Sequence, residues 1–283
     1  VGLVTQPDKP KGRGMHVVYA PTKELALQAG IEVFQPATLK DPAVVDKLRA
    51  FKAELFVVIA YGKFLPADVL ELPSYSCINV HASLLPQYRG AAPINWAVIN
   101  GEAETGVTMI RINTSMDSGD ILARVSCAIS PDITSAELRP KLAEMGADIL
   151  LETIPKISAG TLRPEKQDES RASRAPKMHK DLGHIRWQEG SRRIHDLVRG
   201  TQPWPGAFTY WRGKRLKVLE ASAAGNIIRG KPGEIVEVGK DGFLVQAGDG
   251  VVLVRRVHPE SSRPMDARAF LAGHGLSAGE MLG

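Results

Sequence analysis

The stretch INVHASLLPQYRGAAPINW, from Ile78 to Trp96, begins as a buried strand and continues into a polar loop. Ile78 and Val80 are β-branched, as is typical of strands, but Asn79 and His81 alternate with them. Side chains two residues apart in a strand share a face, so this amide and this imidazole can reach one substrate atom. Ligands of open α/β sheets bind outside the carboxyl ends of the strands. The polar end of this strand therefore predicts a functional site.

The sequence around that strand alternates short apolar runs with helical patterns. Strands are predicted at LFVVIA before it and at GVTMIRI and ILARVSCAI after it. Helices are predicted at TKELALQAG, at DPAVVDKLRAFK and, as a long helix with Ser135 as its N-cap, at SAELRPKLAEMGADILLETIPKI. This alternation predicts an α/β fold built on a doubly wound, mostly parallel sheet.

The composition changes between Arg163 and Lys180. These residues, RPEKQDESRASRAPKMHK, are polar and predict a linker, and SRRIHDLVRG predicts a short helix. Farther on, short apolar runs such as RLKVLEAS and VVLVRRV are separated by glycines, which predicts a small β-barrel. We therefore expect a first domain at residues 1–162, a linker with a short helix at 163–203, and a C-terminal barrel at 204–283.

The composition excludes several classes of protein. The chain has 283 residues, 43% hydrophobic and 24% charged, which is ordinary for a soluble protein of two domains. No apolar run reaches the length of a membrane span, and no signal peptide is visible. Cys77 and Cys127 form no CxxC pair, so we expect neither a disulfide scaffold nor a zinc site, and a reducing compartment. The chain opens at Val1 inside an apolar run, as if entered in mid-strand.

The charge is unevenly distributed along the chain. Residues 1–176 carry a net charge of −1, whereas residues 177–283 carry +6. The basic residues between 186 and 217 are Arg186, Arg192, Arg193, Arg199, Arg212, Lys214, Arg215 and Lys217. A basic second domain beside a neutral first one predicts a polyanionic partner, and the alternative is an ordinary solvated surface.

The residue types at the strand end fit acyl-transfer chemistry. The amide of Asn79 can donate to a developing oxyanion, and His81 can donate or accept a proton near neutral pH. The next strand leads into NTSMDSGD, where Asp117 or Asp120 could face His81 and favour its charged form. The alternative is that Asn79 and His81 are structural groups and that the aspartates cap a turn.

These motifs resemble those of the folate-dependent formyltransferases. The segments NVHASLLPQYRGAAP and DSGDIL carry the closest resemblance, and TQPDKPKGRG, AYGKFLP and PWPGAF extend it over nearly the whole chain. The resemblance implies a Rossmann-like catalytic domain followed by a barrel, with the first strand and helix of the family missing here. It also implies formyl transfer from 10-formyltetrahydrofolate to the methionine of aminoacylated initiator tRNA, without a metal.

The resemblance assigns roles to residues of both substrate sites. Asn79, His81 and Asp117 match the catalytic trio, with Asp120 as a supporting turn residue. The folate site is implied for Tyr61, Gly62, Ser83, Leu84, Leu85 and Pro86, with a cis peptide between Leu85 and Pro86. The tRNA site is implied for Lys9, Lys11 and Arg13 in the early loop, and the basic barrel face adds Arg192, Arg193, Lys214 and Arg215.

Other interpretations of the sequence remain open. The early loop has no GxxxxGK[ST] pattern, so a nucleotide P-loop is not predicted, but the loop could simply be a solvated segment. A formyltransferase acting on a small amine, or a hydrolase of formyltetrahydrofolate, would use the same fold. A catalytically silent RNA-binding protein would use only the basic domain. For the tRNA-dependent enzyme we expect a cytoplasmic monomer.

Overall fold

A computed structural model of the chain describes residues 1–11 and 16–283. The first elements are β1 (Gly2–Val4), β2 (Lys9–Lys11), β3 (His16–Val18), α1 (Pro21–Gln28), β4 (Glu32–Phe34), α2 (Pro42–Ala50), β5 (Leu55–Val58), α3 (Ala67–Leu70), β6 (Ser76–His81), β7 (Arg89–Gly90), α4 (Pro93–Ile99), β8 (Glu104–Arg111), β9 (Ile121–Ala128) and α5 (Ser135–Ser158). They are followed by two 3₁₀ helices (Glu169–Arg171 and Lys180–Gly183), β10 (Arg174–Ala175), α6 (Ser191–Gly200), β11 (Ala207–Trp211), β12 (Lys214–Ala223), β13 (Ile235–Gly239), β14 (Gly242–Gln246), β15 (Val251–Pro259), β16 (Met265–Asp266) and α7 (Ala267–His274).

The contacts divide the chain into two units. The first consists of Val1–His81, Thr108–Arg124 and Gly146–Ser170, and the second of Ala82–Val107, Val125–Met145 and Arg171–Gly283. The units are interleaved along the chain, so three separate segments contribute to each. The domain boundaries proposed from the sequence, at residues 162 and 203, stay a prediction.

Strand pairing in the first unit is both parallel and antiparallel. β1 pairs with β4, and β5 with β6, in parallel, as the alternation of strands and helices predicts. β6 pairs with β8 in the antiparallel direction, with Asn79 opposite Ile110 and His81 opposite Thr108. The order β5-β6-β8-β9 makes one sheet, and β1 and β4 make another. The α/β prediction is confirmed, and the four-stranded sheet is mixed because β8 runs against β6.

Helix α2 shows how the helices of the first unit are held. The Asp41 carboxylate accepts a hydrogen bond from the Ala43 amide at 2.9 Å, which caps the helix ahead of a proline at its first position. Val45 and Leu48, three residues apart, are buried in a cluster that includes Phe34 of β4 and Phe56 of β5. Truncating a buried leucine to alanine typically costs about 2–5 kcal/mol, so this apolar stripe anchors the helix.

The N-terminus of α5 differs from the sequence prediction. Thr134 Oγ1 accepts from the Glu137 amide at 3.2 Å, and the Glu137 carboxylate accepts from the Thr134 amide at 2.9 Å, which makes a capping box. Ser135 is buried, and its hydroxyl lies 2.9 Å from the Gly200 carbonyl and 2.7 Å from that of Gln202. The prediction of Ser135 as the N-cap is therefore wrong, because its hydroxyl is engaged by a segment far along the chain.

The second unit contains an antiparallel sheet that closes on itself. Its strands run in the order β11-β12-β15-β14-β13, with β16 beside β15. The C-terminal tail joins the two edges, since Met281 bridges Glu234 next to β13 and the Gly283 amide donates to the Tyr210 carbonyl of β11 at 2.9 Å. Trp211 Nε1 also donates to the Glu280 carboxylate, at 2.9 Å. This closure makes the small barrel that the glycine-separated strands predict.

Helix α6 spans the residues SRRIHDLVRG that the sequence predicts as helical. Its buried Ile194 and Val198 belong to the barrel core together with Trp187. At its last residue, Gly200, an added Cβ would lie only 2.4 Å from Ile99 Cγ1 of α4. A side chain at position 200 would therefore push α6 away from α4.

Helix α5, with 24 residues, has the length that a bilayer crossing needs. Charged residues such as Glu137 and Lys156 interrupt its apolar positions, however. Within residues 1–11 and 16–283, no helix combines the length and the apolarity that a membrane crossing requires.

Candidate active site

Asn79 and His81 lie at the carboxyl end of β6, where the alternation of the strand places them on one face. His81 is buried, with 6% of its surface exposed, and it lies opposite the buried Thr108 of β8. Burial fixes the position of the His81 side chain, whereas Asn79 is half-buried. The amide of Asn79 and the imidazole of His81 therefore lie on the same face of β6, as the sequence predicts.

Asp117 joins these two residues from the loop after β8. Its Oδ1 accepts a hydrogen bond from Asn79 Nδ2 at 3.3 Å, and its Oδ2 lies 3.7 Å from His81 Nδ1. One carboxylate therefore contacts both partners, one through each oxygen. The side chain of Asp117 is 16% exposed, so its charge acts on the imidazole with little screening by solvent.

The loop that carries Asp117 is tightly constrained. Asp117 has a φ of +49°, in the left-handed region that non-glycine residues seldom adopt. Gly119 packs so close to β8 that an added Cβ would lie 1.7 Å from the Arg111 carbonyl oxygen. Asp120 contributes its carbonyl, which accepts from the Arg111 amide at 2.9 Å. Asp120 thus pairs through its backbone with the end of β8, and Asp117 supplies the carboxylate beside His81. The supporting role of Asp120 stays a prediction.

Gln167 holds the same loop from outside the sheet. Its Nε2 donates to the Asp117 carbonyl at 2.9 Å and to the Gly119 carbonyl at 2.8 Å. The preceding Glu165 pairs with Ile121 of β9 through two backbone hydrogen bonds of 2.7 and 2.9 Å. The sequence predicts a polar linker over this stretch, and Gln167 is not among the predicted site residues. Nothing in the sequence near Gln167 indicates its role, because its hydrogen-bond partners lie about 50 residues earlier.

The segment Ser83–Pro86 is buried in the second unit. Ser83 is fully buried and donates through Oγ to the Gln87 carbonyl at 2.6 Å, which closes a tight turn. Leu85 is 1% exposed, Leu84 is half-buried, and the peptide bond between Leu85 and Pro86 is cis, as predicted. The folate role proposed for these residues stays a prediction.

Tyr61 and Gly62 lie in the loop after β5 in the first unit. Gln6 Nε2 donates to the Tyr61 carbonyl at 2.7 Å, and Gly62 has a φ of +76°. The Tyr61 ring packs in the apolar cluster of α2, and its hydroxyl is buried with no hydrogen-bond partner among the described residues. Burial raises the pKa of this phenol. The Tyr61 ring therefore contributes to packing in the first unit, and the folate role proposed for Tyr61 and Gly62 stays a prediction.

The basic residues predicted to contact tRNA fall into several environments. Arg13 lies outside the described residues, as do the side chains of Lys9 and Lys11. Arg193 donates to the Ile99 carbonyl, and Arg192 Nε lies 3.4 Å from Asp196 Oδ2. Lys214 is exposed and Arg215 is half-buried on the barrel. Arg199, which the sequence analysis counted in the basic cluster, is 3% exposed and donates to Asp196 at 2.7 Å, so it adds little to the surface charge.

The two cysteines are unsuited to nucleophilic or metal chemistry. Burial raises the pKa of the Cys77 thiol to about 12, and burial also raises that of Cys127. A thiol is reactive as its thiolate, so both side chains are inert near neutral pH. Within the part of the chain that the structure describes, no group of three or more His, Cys, Asp or Glu side chains could hold a metal ion.

Comparison with known proteins assigns a family to this arrangement. A family model described as formyl transferase matches residues 1–154, and one described as formyl transferase, C-terminal domain, matches residues 177–275. The chain belongs to the formyl transferase family. In this formyl transferase, the N-terminal match contains Asn79, His81 and Asp117, and Gln167 lies between the two matched regions.

Individual relatives of this formyl transferase cover nearly its whole length. The chain is 47% identical over 282 residues to the methionyl-tRNA formyltransferase of Acetivibrio thermocellus, covering 99% of this chain and 91% of that protein. It is 46% identical to the methionyl-tRNA formyltransferase of Caldanaerobacter subterraneus subsp. tengcongensis, covering 100% of this chain and 91% of that protein. The crystal structure of HypX from Aquifex aeolicus in complex with tetrahydrofolic acid is similar in fold, with a TM-score of 0.63 and 20% identity over 87% of this chain and 43% of that chain.

Proposed function

We propose that this chain transfers the formyl group of 10-formyltetrahydrofolate to the α-amino group of methionine on aminoacylated initiator tRNA, in translation initiation. The observation that carries the proposal is the single Asp117 carboxylate that contacts both Asn79 and His81. The identity to proteins named methionyl-tRNA formyltransferase supports the substrate. The enzyme acts in the cytoplasm, as a monomer.

The reaction begins when the α-amine attacks the formyl carbon of the folate. The carbonyl oxygen becomes negative in the tetrahedral intermediate, and two donors stabilise it: the Asn79 amide and protonated His81. Each donor of this kind contributes on the order of 3 kcal/mol to transition-state stabilisation. Collapse of the intermediate breaks the bond to the folate nitrogen, which takes up the proton that leaves the amine.

Asp117 orients both donors and stabilises the charge on His81. Because Nδ1 of His81 faces Asp117 Oδ2 at 3.7 Å, Nε2 is the ring nitrogen that donates to the formyl oxygen. Asn79 has two amide protons, so donation to Asp117 Oδ1 leaves the second for the substrate. Contacts of 3.3 and 3.7 Å in a catalytic site tighten in the reacting complex.

The folate is bound by two segments of the chain. The turn of Ser83, Leu84, Leu85 and Pro86 supplies a rigid, largely apolar surface, and the Tyr61–Gly62 loop supplies backbone polar groups. HypX from Aquifex aeolicus, which is similar in fold, was crystallised in complex with tetrahydrofolic acid, and this supports a reduced folate as the ligand class. We propose that the formyl group is carried at the 10-position of this folate. The proposed reaction uses no metal.

The tRNA is bound by the early loop and by the basic barrel. Lys9, Lys11 and Arg13 contact the acceptor arm, and Lys214 and Arg215 contact the backbone farther away. Arg192 and Arg193 contribute less, because one pairs with Asp196 and the other with the Ile99 carbonyl. Phosphate contacts of this kind weaken as the salt concentration rises.

An assay with defined acceptors tests the proposed function. Purified protein is incubated with 10-formyltetrahydrofolate and either methionyl-tRNA, uncharged tRNA, an amino sugar nucleotide or no acceptor. Formyl-methionyl-tRNA is the expected product, with negligible hydrolysis of the folate when acceptor is absent. Formylation of the amino sugar, or hydrolysis at the same rate without acceptor, would overturn the proposal in favour of the small-amine enzyme or the hydrolase.

Gln167 provides a further test of the site. Gln167→Met keeps the length of the side chain but removes the two hydrogen bonds to the Asp117 and Gly119 carbonyls. We expect kcat to fall by about tenfold, which corresponds to about 1.4 kcal/mol, with little change in KM for tRNA. The control is Gln188→Met at an exposed position. A kcat equal to that of the control would show that the loop keeps Asp117 in place without Gln167.

A further inference from the structure

A basic pocket lies on the outer face of the barrel. It has a volume of about 200 Å³ and is lined by Arg215, Lys217, His258, Pro259, Glu260 and Ser261. Lys217 of β12 is the direct cross-strand partner of His258 of β15, so their side chains lie on the same face. The neighbouring Leu216 points inward and is 2% exposed, which confirms that Lys217 points outward. Four of the six lining residues therefore lie on the regular strands β12 and β15, and Glu260 and Ser261 lie in the turn that follows β15.

Arg215 is held in position by an aromatic ring. Its guanidinium lies 3.6 Å from the centroid of the Phe208 ring, and Phe208 stacks in turn on His184 with a centroid distance of 5.3 Å. The Nε of Arg215 is buried and has no hydrogen-bond partner among the described residues. Stacking on the Phe208 ring fixes the plane of the guanidinium, and a fixed planar guanidinium is preorganised for an oxyanion ligand.

The charges around the pocket favour an anion. Arg215 and Lys217 contribute two positive charges, and Glu260 contributes one negative charge at the rim. The Glu260 carboxylate accepts a hydrogen bond of 3.0 Å from the Arg215 backbone amide, which holds the carboxylate in place. His258 Nε2 lies 2.9 Å from the Ser262 carbonyl, a hydrogen bond in which the ring is the donor. The pocket thus carries a net positive charge that one carboxylate offsets in part.

We propose that this pocket binds a single phosphate of the RNA backbone and so fixes where the barrel sits on the tRNA. The inference rests on the proposed function for its partner, and it adds Lys217, His258 and the opposing Glu260 to the recognition. The exposed Lys214 lies at the start of the same strand, and the partly exposed Tyr210 is the cross-strand partner of Arg215. A continuous polymer, rather than a free phosphate, reaches the pocket and these neighbours together.

Direct binding measurements test the phosphate contact. The dissociation constant of uncharged initiator tRNA is measured by fluorescence anisotropy at several salt concentrations for Lys217→Ala. We expect affinity to fall about tenfold, since a charge-assisted hydrogen bond is lost. The slope of log K against log salt should decrease in magnitude by about one, as for the loss of one phosphate contact. The matched control is Lys240→Ala, an exposed lysine outside the pocket.

Removing the negative charge of Glu260, instead of the positive charge of Lys217, gives a second test. Glu260→Gln keeps the acceptor for the Arg215 amide but removes the negative charge from the rim, so we expect tRNA to bind about three- to tenfold more tightly. The control is Asp241→Asn, which removes the same charge from the exposed turn between β13 and β14. A general effect of net charge would make Asp241→Asn match Glu260→Gln, and this result would overturn the proposal.

The results distinguish a failure of the phosphate-binding proposal from a failure of the proposed formyl transfer. Unchanged tRNA affinity in Lys217→Ala relative to Lys240→Ala would overturn the proposal. Weaker binding of inorganic phosphate in Lys217→Ala, with tRNA affinity unchanged, would also overturn it and identify a free-phosphate site. Failure of wild-type protein to formylate methionyl-tRNA would refute the proposed function, whereas the expected shifts in tRNA affinity would still support the pocket.

Discussion

Replacing His81 with alanine is expected to lower kcat for formyl transfer by about 10²–10³-fold, the loss typical of one oxyanion donor. The imidazole is buried at the end of β6 and faces the Asp117 carboxylate, so no other described group of the same type replaces it. Single-turnover kinetics with saturating folate and methionyl-tRNA measure the effect on the chemical step. Thermal unfolding of the variant checks that the fold is retained.

The companion variant Asp117→Asn tests whether the trio acts as a unit. Asparagine keeps the size of the side chain but cannot stabilise an imidazolium, so kcat should fall by a similar factor. If Asp117 acts by way of His81, the kcat of the double variant should be little lower than that of either single variant. His179→Ala, at an exposed histidine outside the trio, is the matched control. Near-normal kcat in either single variant would contradict the proposed roles.

Replacing Asp196 with alanine is expected to destabilise the second unit by about 3–5 kcal/mol, the range for breaking a buried ion pair. Asp196 and Arg199 are 4% and 3% exposed, and the Asp196 carboxylate accepts from Arg199 Nε at 2.7 Å. Arg199 also donates to the Ile133 carbonyl at 3.1 Å, so α6 is tied to the segment before α5. Without Asp196 the guanidinium would be buried without a counter-ion.

Chemical denaturation of Asp196→Ala, compared with Asp132→Ala, measures this effect. Asp132 lies 3.3 Å from His195 Nε2 but its side chain is 87% exposed, so its removal should cost much less. Equal destabilisation by the two changes would show that burial of the pair is not the cause. Activity at low temperature should be retained in both variants, because neither residue belongs to the proposed active site.

The same pair predicts an acid-sensitive stability. Burial tends to raise the pKa of Asp196, but the neighbouring His195 imidazole and the hydrogen bond from Arg199 outweigh it and hold the pKa below the usual value of 3.8. A carboxyl whose pKa is lower in the folded state stabilises the protein above its unfolded pKa, and this contribution is lost as pH falls through the folded value. Asp196→Asn should therefore show a shallower loss of stability below about pH 4.

The sequence by itself determined the features that depend on neighbours in the chain. The alternation around Ile78 predicts the strand and the shared face of Asn79 and His81, and SRRIHDLVRG predicts a helix that the structure places at the same residues. The sequence also predicts a carboxylate near His81 in the loop after the next strand, on the premise that the carboxyl ends of neighbouring strands meet at one edge of a sheet. That premise is wrong for this pair, because β8 runs antiparallel to β6, and Asp117 reaches His81 through a loop that turns back along the strands. The strand, the helix and the shared face of Asn79 and His81 are consequences of local periodicity.

Only the tertiary structure decided which side chains meet across long stretches of sequence. Gln167 supports Asp117 across 50 residues, and Ser135 contacts Gly200 across 65 residues instead of capping its own helix. Arg199 is basic in the sequence but is buried against Asp196, and the C-terminal tail closes the barrel on β11. A polar side chain can satisfy its hydrogen bonds with many partners, and packing, not the local pattern, selects among them.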